Sequence, residues 1–301
     1  MPTSPRRKRP SANAPSAKAH HAKAPHAQAW TARHADPRLL YEKAVQEPEA
    51  EIDFVDQQFL KIRGKRATLI REDFCGSAAV CVEWVNRRKG NRAIGIDLDR
   101  PVLEWARANN LPKAGERAAN ITLVHGNVLD DHHRGVQGLP RPDAVLAMNF
   151  SYWIFSTRDT LRDYFSRVRR SLAPGGLFFL DHYGGYESGK EFQERRHCSA
   201  GRGKPYTYIW DQQFHNPLTG EYRCAIHFEL PDKTKIRNAF TYHWRLWTLP
   251  ETRELLAEAG FRKVTVYCEG DDGNGGGNGI FRPATRCDAD ATFLAYVVAE
   301  P

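Results

Sequence analysis

No stretch of this 301-residue chain approaches the ~18 consecutive apolar residues of a membrane helix, so no membrane span is expected. No apolar core follows the basic N-terminus, which argues against a secretory leader. The six cysteines (Cys75, Cys81, Cys198, Cys224, Cys268, Cys287) form no C-x-x-C pair and are widely spread. Reduced thiols in a cytoplasmic protein are therefore expected, rather than a disulfide framework or a zinc site. Acid is missing from residues 1–34, which carry seven basic residues, while the rest of the chain has 37 basic against 36 acidic residues. The net charge of +8 thus belongs to the N-terminus, and the near-neutral remainder gives no basis for a groove that tracks a polyanion.

Large apolar residues are also scarce in residues 1–34, so a disordered basic tail is expected there, with one domain over 35–301. The cluster PRRKRP can contact nucleic acid, and an Arg-rich, acid-free start also suits an organelle transit peptide. Composition leaves both open beside a plain solvated tail.

What the rest contains is alternation of strands and helices. Helical spacing runs over 36–63 with a break near Pro48. Short apolar strands at 67–72, 92–97, 121–126, 143–150 and 177–182 alternate with helices at 77–87, 99–109 and 157–173. Asp99 and Pro101 start the second of these helices. Leu161, Tyr164, Phe165, Val168 and Leu172 form the buried stripe of the third. Strands that are apolar throughout predict a Rossmann-like α/β fold: a mostly parallel seven-stranded sheet with helices on both faces. Residues 206–212, 222–230 and 236–246 alternate apolar with polar. They predict an antiparallel meander inserted over 205–248, placed to serve as a lid. Thr248 and Glu251 match a capping box for a helix ending at Gly260. Strands at 261–268 and 291–300 close the chain, and the glycine-rich link 270–279 reads as a mobile connection.

The chemistry concentrates in LIREDFCGSAAVCVEW (69–84), a strand, tight turn and helix. In doubly wound sheets this first turn binds nucleotides. A diphosphate site would show G-x-G-x-x-G, and only Gly76 is present. The acidic pair Glu72 and Asp73 would repel a diphosphate and suits a cationic ligand.

EDFCGSA (72–78) resembles the first motif of class I S-adenosylmethionine-dependent methyltransferases, in particular a bacterial subgroup with EDFCGT-like turns. Phe74 and Ala78 stand where that motif has glycine. Later stretches resemble the family in order: GID (95–97), HGNVLD (125–130), NFSYW (149–153), SLAPGGLFFLD (171–181) and LWTLPETRELLAEAGF (246–261). The resemblance implies a methyltransferase with S-adenosylmethionine as cofactor. It implies cofactor contacts at Glu72, Cys75, Gly76 and Ser77, with Asp97 on the ribose hydroxyls and Leu98 beside it. Asn127 takes the place of an adenine-contacting Asp, next to Val128. Asn149 and Phe150 line the transfer site, and Tyr41 and Gln46 lie on a helix that closes over the cofactor. Arg71 either reaches the methionine carboxylate or pairs with Glu72 or Asp73.

No catalytic residue can be singled out. Tyr152, His182 and Tyr183 past the strand ends, and Trp210, His243 and Trp244 on the meander, are candidates for the substrate side. The run Asp131, His132 and His133 suggests a metal site, but adjacent side chains diverge in direction and no third ligand is evident, so no metal is expected. Phe150 and Ser151 replace the prolines of the N-P-P-Y motif of nucleobase and glutamine methyltransferases. The expected acceptor is a small molecule. The alternatives are RNA or protein, tethered by the basic tail, and a non-catalytic cofactor-binding module.

Overall fold

The computed structural model describes residues 30–130, 139–273 and 276–301. Residues 1–29, with any nucleic-acid contact expected of them, and residues 131–133 lie outside the described residues. No helix among the described residues is long and apolar enough to cross a membrane.

Two helices open the described chain, α1 (Pro37–Val45) and α2 (Pro48–Arg63). Asp36 caps α1, Pro48 starts α2 after an extended link, and Gly64 ends α2 in the left-handed conformation. Then come β1 (Leu69–Asp73), α3 (Ala79–Arg87), β2 (Arg92–Asp97), α4 (Arg100–Asn109) and β3 (Ile121–His125). Asp99 caps α4 by accepting from Val102 N–H at 3.3 Å. β4 (Ala144–Ala147), α5 (Arg158–Ser171) and β5 (Leu177–Gly184) follow, and after the antiparallel insert come α6 (Leu249–Glu258), β10 (Lys263–Asp271), β11 (Gly277–Ala284) and β12 (Phe293–Glu300).

The main sheet has the order β11-β10-β12-β5-β4-β1-β2-β3. β3, β2, β1, β4 and β5 are parallel, while β12 runs antiparallel to both β5 and β10. The strand order reverses between β1 and β4, and that crevice is where such sheets take ligands. β1 and β4 are buried along their whole length because helices cover both faces. On one face α2 and α3 bring Ile52, Val55, Val80 and Trp84 against Ile70, Leu146 and Phe179. On the other, α5 and α6 bring Leu161, Phe165 and Leu255 against Leu69, Val145 and Phe178.

The sheet has eight strands where seven were expected. The glycine-rich link is not a loose connection: β11 pairs with β10 from it as a hairpin. Cys268 and Cys287 are joined as a disulfide across 6.6 Å of Cα separation, against the expectation of six reduced thiols. The hairpin that brings them together was invisible in a polar, glycine-rich stretch.

The insert is a four-stranded antiparallel sheet, β6 (Phe192–Ser199), β7 (Pro205–His215), β8 (Glu221–Glu229) and β9 (Lys235–Arg245). Its first strand was not expected, since as an exposed edge β6 carries no alternating signal. Helix α1 packs on this sheet through Leu40 and Ala44 against Tyr206, Tyr208, Ile226 and Phe228. The chain before α1 is strapped to it as well. Trp30 Nε1 donates to Pro205 O at 2.9 Å and Ala32 N–H to Thr234 Oγ1 at 2.9 Å. Residues 30–34 therefore belong to the fold rather than to the expected 1–34 tail.

Gly95 sits under the first turn. A Cβ there would lie 2.8 Å from Cys75 Sγ and 2.9 Å from Leu123 Cδ2. Gly95→Ala is expected to lower stability by about 1–3 kcal/mol through overpacking. Adding Cys75→Ala should recover part of that loss, since the two sites share one contact. Urea midpoints measure both, and an unchanged midpoint in the single variant overturns the close approach.

Candidate functional site

The turn after β1 takes positive φ at every second residue. Phe74, Gly76 and Ala78 have φ of 60°, 47° and 57°. The Phe and Ala that stand in place of glycines thus keep a glycine's conformation. Each costs about 1–2 kcal/mol relative to a right-handed residue. Packing holds them there: Phe74 lies against Phe155 and Tyr164, and Ala78 is fully buried.

The same turn is pinned to β2. Cys75 N–H donates to Ile96 O at 3.0 Å, and Gly76 N–H to Asp97 Oδ2 at 2.8 Å. Asp97 Oδ1 accepts from Asp99 N–H at 2.8 Å. Each carboxylate oxygen has accepted one hydrogen and keeps further acceptor capacity. Burial raises the Asp97 pKa above its ordinary value. Cys75 points its side chain down onto Gly95, so only its backbone lines the crevice.

The N-terminal segment reaches over this turn. Ser77 Oγ donates to Gln46 Oε1 at 3.0 Å, and Asn110 Nδ2 bridges Ser77 O and Glu42. Trp105 Nε1 donates to Asp36 at 2.6 Å. Leu98 is exposed just beyond β2. Asn127 lies past β3 with its Oδ1 accepting from Leu129 N–H at 3.0 Å, and the Val128 side chain is buried in the core.

The acidic pair does not act as a pair. Side chains alternate along a strand, so Glu72 and Asp73 face opposite sides. Asp73 meets Arg71, which donates from Nε at 2.7 Å and Nη2 at 3.0 Å, and the Tyr164 hydroxyl at 2.9 Å. Arg71 is thus buried in an ion pair beneath α5 and does not reach the crevice. Glu72 accepts from Cys81 N–H at 3.2 Å, and burial pushes its carboxyl up to about 8.

Two further buried acids were missed. Glu51 of α2 is held up at about 8 by burial first and then by the charge of Asp181, against the Asn149 side chain. Its Oε2 has no hydrogen-bond partner among the described residues. Asp181 at the end of β5 accepts from Asn149 N–H at 2.8 Å and Phe150 N–H at 2.9 Å, and burial raises it to about 7. A signal for Glu51 existed: it occupies the i position of the buried stripe Glu51, Phe54, Val55, Gln58.

Beside these acids lies a cavity of about 240 Å³ walled by aromatic rings. Phe150, Trp153 and Tyr183 rise from the main sheet, and Trp210, Tyr242 and Trp244 descend from β7 and β9. Tyr41 of α1 closes one side, its ring 4.7 Å from Phe240. Tyr183 and Trp210 both donate to Gln212 Oε1, at 3.3 and 3.2 Å.

Three expected substrate-side residues lie elsewhere. Tyr152 is fully buried, its hydroxyl on Asp181 O and His182 Nδ1 at 3.0 and 2.9 Å. His182 is buried with it and pulled down to about 3, which makes it a neutral structural ring. His243 is exposed opposite Arg223 on the outer face of the insert, because Tyr242 and Trp244 take the inner one.

Residues 73–180 match the family described as methyltransferase domain. Over that stretch the chain carries a methyltransferase domain. No curated protein matches the sequence. Solved structures share the fold at low identity. An S-adenosylmethionine-dependent methyltransferase from Clostridium acetobutylicum is 15% identical with a TM-score of 0.61, covering 87% of this chain and 96% of that one. The amino pentose methyltransferase CalS10 from Micromonospora echinaspora is 16% identical with a TM-score of 0.59, covering 85% and 94%. The sugar N-methyltransferase KedS8 from a Streptoalloteichus species is 15% identical with a TM-score of 0.56, covering 93% and 98%.

The crevice of the methyltransferase domain fits a ligand that carries positive charge. Glu51 offers a buried oxygen without a partner among the described residues, and burial lifts the carboxyls of Glu51, Glu72 and Asp181 above their ordinary range, a shift that a nearby cation would offset. An acid whose pKa is raised on folding stabilises fully below its unfolded value, near 4.5 for Glu51, and loses that contribution as pH climbs towards 8. The melting temperature is therefore expected to fall between pH 5 and pH 8, and Glu51→Gln to flatten that fall. Thermal melts across pH check it; an unaltered slope in the variant sinks the assignment.

Proposed function

We propose that this methyltransferase moves the methyl group of S-adenosylmethionine onto a small molecule seated in the aromatic cavity. The observation that carries the reading is the shared Asn149–Phe150 turn. Its N–H groups hold Asp181 on the acidic side, and its side chains line the cavity on the other. Donor and acceptor pockets thus meet at one left-handed dipeptide, φ 56° and 54°. Amino pentose and sugar N-methyltransferases among the structures of the same fold support a small acceptor.

In this reading Asp97 receives the ribose hydroxyls on the lone pairs that Gly76 and Asp99 leave free. Asn127, with Leu98 and the backbone of Val128, borders the adenine. Gly76 and Ser77 let the backbone come close, and Gln46 with Ser77 latches α1 over the crevice. Glu51, Glu72 and Asp181 place negative charge around the methionine end. The cofactor supplies a methyl carbon activated by its sulfonium. The chain's task is orientation and exclusion of water, which can account for much of the rate gain in a bimolecular displacement. The antiparallel sheet and α1 form the cover that excludes it.

Calorimetric titration of the full chain with S-adenosylhomocysteine tests the donor site. Binding is expected to strengthen from pH 6 to 8 and to release protons, because the ligand's ammonium favours ionised Glu51 and Glu72 over their protonated forms. Asp97→Ala should weaken it roughly 10–100-fold by removing charge-assisted hydrogen bonds. Absence of binding to the parent chain would end the reading, and unchanged affinity in Asp97→Ala would end the ribose assignment. Methyl transfer from labelled cofactor into cell fractions should mark metabolites rather than RNA or protein.

A further inference from the structure

We infer that the aromatic cavity is an amine site, so that the methyl acceptor is a nitrogen that carries positive charge when it enters and again when it leaves. This deepens the proposed function and rests on it. The walls are aromatic rings from both sheets, with Trp210, Tyr242 and Trp244 on one side and Phe150, Trp153 and Tyr183 on the other. Tyr242 and Trp244 pack side by side on β9, centroids 4.4 Å apart, and Trp153 meets Trp244 edge to face at 5.8 Å. A cavity lined by six aromatic rings attracts a cation through the ring quadrupoles.

Two charged side chains line the cavity, Glu194 and Arg196, both on the edge strand β6. Arg196 is committed. Its Nη2 donates to Ala44 O at 2.6 Å and its guanidinium lies 5.0 Å from the Tyr208 ring centre. Glu194 makes no ion pair among the described residues and is exposed at the rim of the cavity, where its charge raises the Tyr183 pKa after burial does. Deeper in, Tyr222 is buried and its hydroxyl has no hydrogen-bonded oxygen or nitrogen among the described residues, only the Cys224 thiol beside it. A hydroxyl there can accept from an N–H.

The competing acceptors fit worse. A carboxylate would face Glu194 with no free cation to receive it. A hydroxyl would need a base to take its proton in the transition state; no histidine lines the cavity, His182 behind the Trp153 wall is held neutral, and the one carboxylate of the lining, Glu194, is exposed to water on the edge strand. An amine needs none at that moment. It gives its proton to water at the Glu194 mouth. Its lone pair then forms the N–C bond while the C–S bond breaks with its electron pair left on sulfur. The positive charge passes from sulfur to nitrogen, into the rings, so the cavity favours the transition state over the neutral amine.

Choline and 3,3-dimethylbutan-1-ol test this, being nearly equal in shape and different in charge. Titrated into the full chain without cofactor and read by tryptophan fluorescence, choline is expected to bind about 10-fold tighter or more. Glu194→Gln, an exposed change, should reduce that preference several-fold and leave the alcohol's affinity alone, and Trp210→Leu should weaken choline further. Equal affinity, tighter binding of the alcohol, or no binding of either overturns the inference. S-adenosylhomocysteine titrated into the same samples separates the failures: cage lost with cofactor retained rejects the amine, and cofactor lost rejects the underlying reading.

Discussion

The hydrogen bond from Gly76 N–H to the Asp97 carboxylate organises the rest of the molecule. It joins the end of β1 to the end of β2, beside the point where the strand order reverses between β1 and β4. It forms only if the chain turns sharply after Asp73, and that turn needs positive φ at Phe74, Gly76 and Ala78. Two of these are not glycine, so the strain is balanced by packing: Phe74 against Phe155 and Tyr164, and Ala78 in the core beneath α3. Beneath it, Gly95 has no side chain because Cys75 occupies that space. Turn, strand and glycine are thus one constraint expressed at three positions.

The same edge gathers negative charge at a cost to the empty fold. Glu51, Glu72 and Asp181 come from a helix and two strands, and each is buried without a counter-ion. Arg71 is close in sequence but spends its guanidinium on Asp73 on the opposite face. The arrangement separates a structural ion pair, which anchors α5 through Tyr164, from an uncompensated cluster that faces the ligand side. Uncompensated buried acids are unfavourable in themselves and become favourable beside a cation. That is why the crevice reads as a site for positive charge.

Much of the architecture was legible because it follows from local rules. Asp99 with Pro101, Thr248 with Glu251 and the break at Pro48 were read directly as helix ends and are found there. The apolar strands gave the parallel sheet. The losses have two physical sources. β6 and β11 are edge strands, exposed at most of their residues, and an edge needs no hydrophobic pattern to pair. The second source is direction. Tyr152, His182 and His243 were placed correctly along the chain, yet period-two alternation does not say which face a site will use. Tyr183 and Trp210 fall on the inner face and His243 on the outer for no reason visible before the insert docks. Glu51 was overlooked for a related reason: a lone acid beside Ile52 and Val55 looks like helix surface until Asp181 and Asn149 arrive across the sheet.

The division of labour between the two sheets carries the functional argument one step further. The parallel sheet holds the features common to its fold, and a fold alone does not choose a substrate. The antiparallel insert supplies half of the aromatic wall and, on β6, both charged residues of the cavity. It is also held by the N-terminal segment: Trp30, Ala32 and Leu40 lie on it, while Gln46 at the end of α1 reaches Ser77 on the donor turn. One short helix therefore touches both pockets. Tyr41 extends from its inner side into the acceptor cavity, where burial pushes its hydroxyl up to about 12, with smaller contributions from Glu51 and Asp181. In the proposed function the acceptor side is therefore not an independent pocket attached to a general domain: α1 and the Asn149–Phe150 turn border both the crevice and the aromatic cavity.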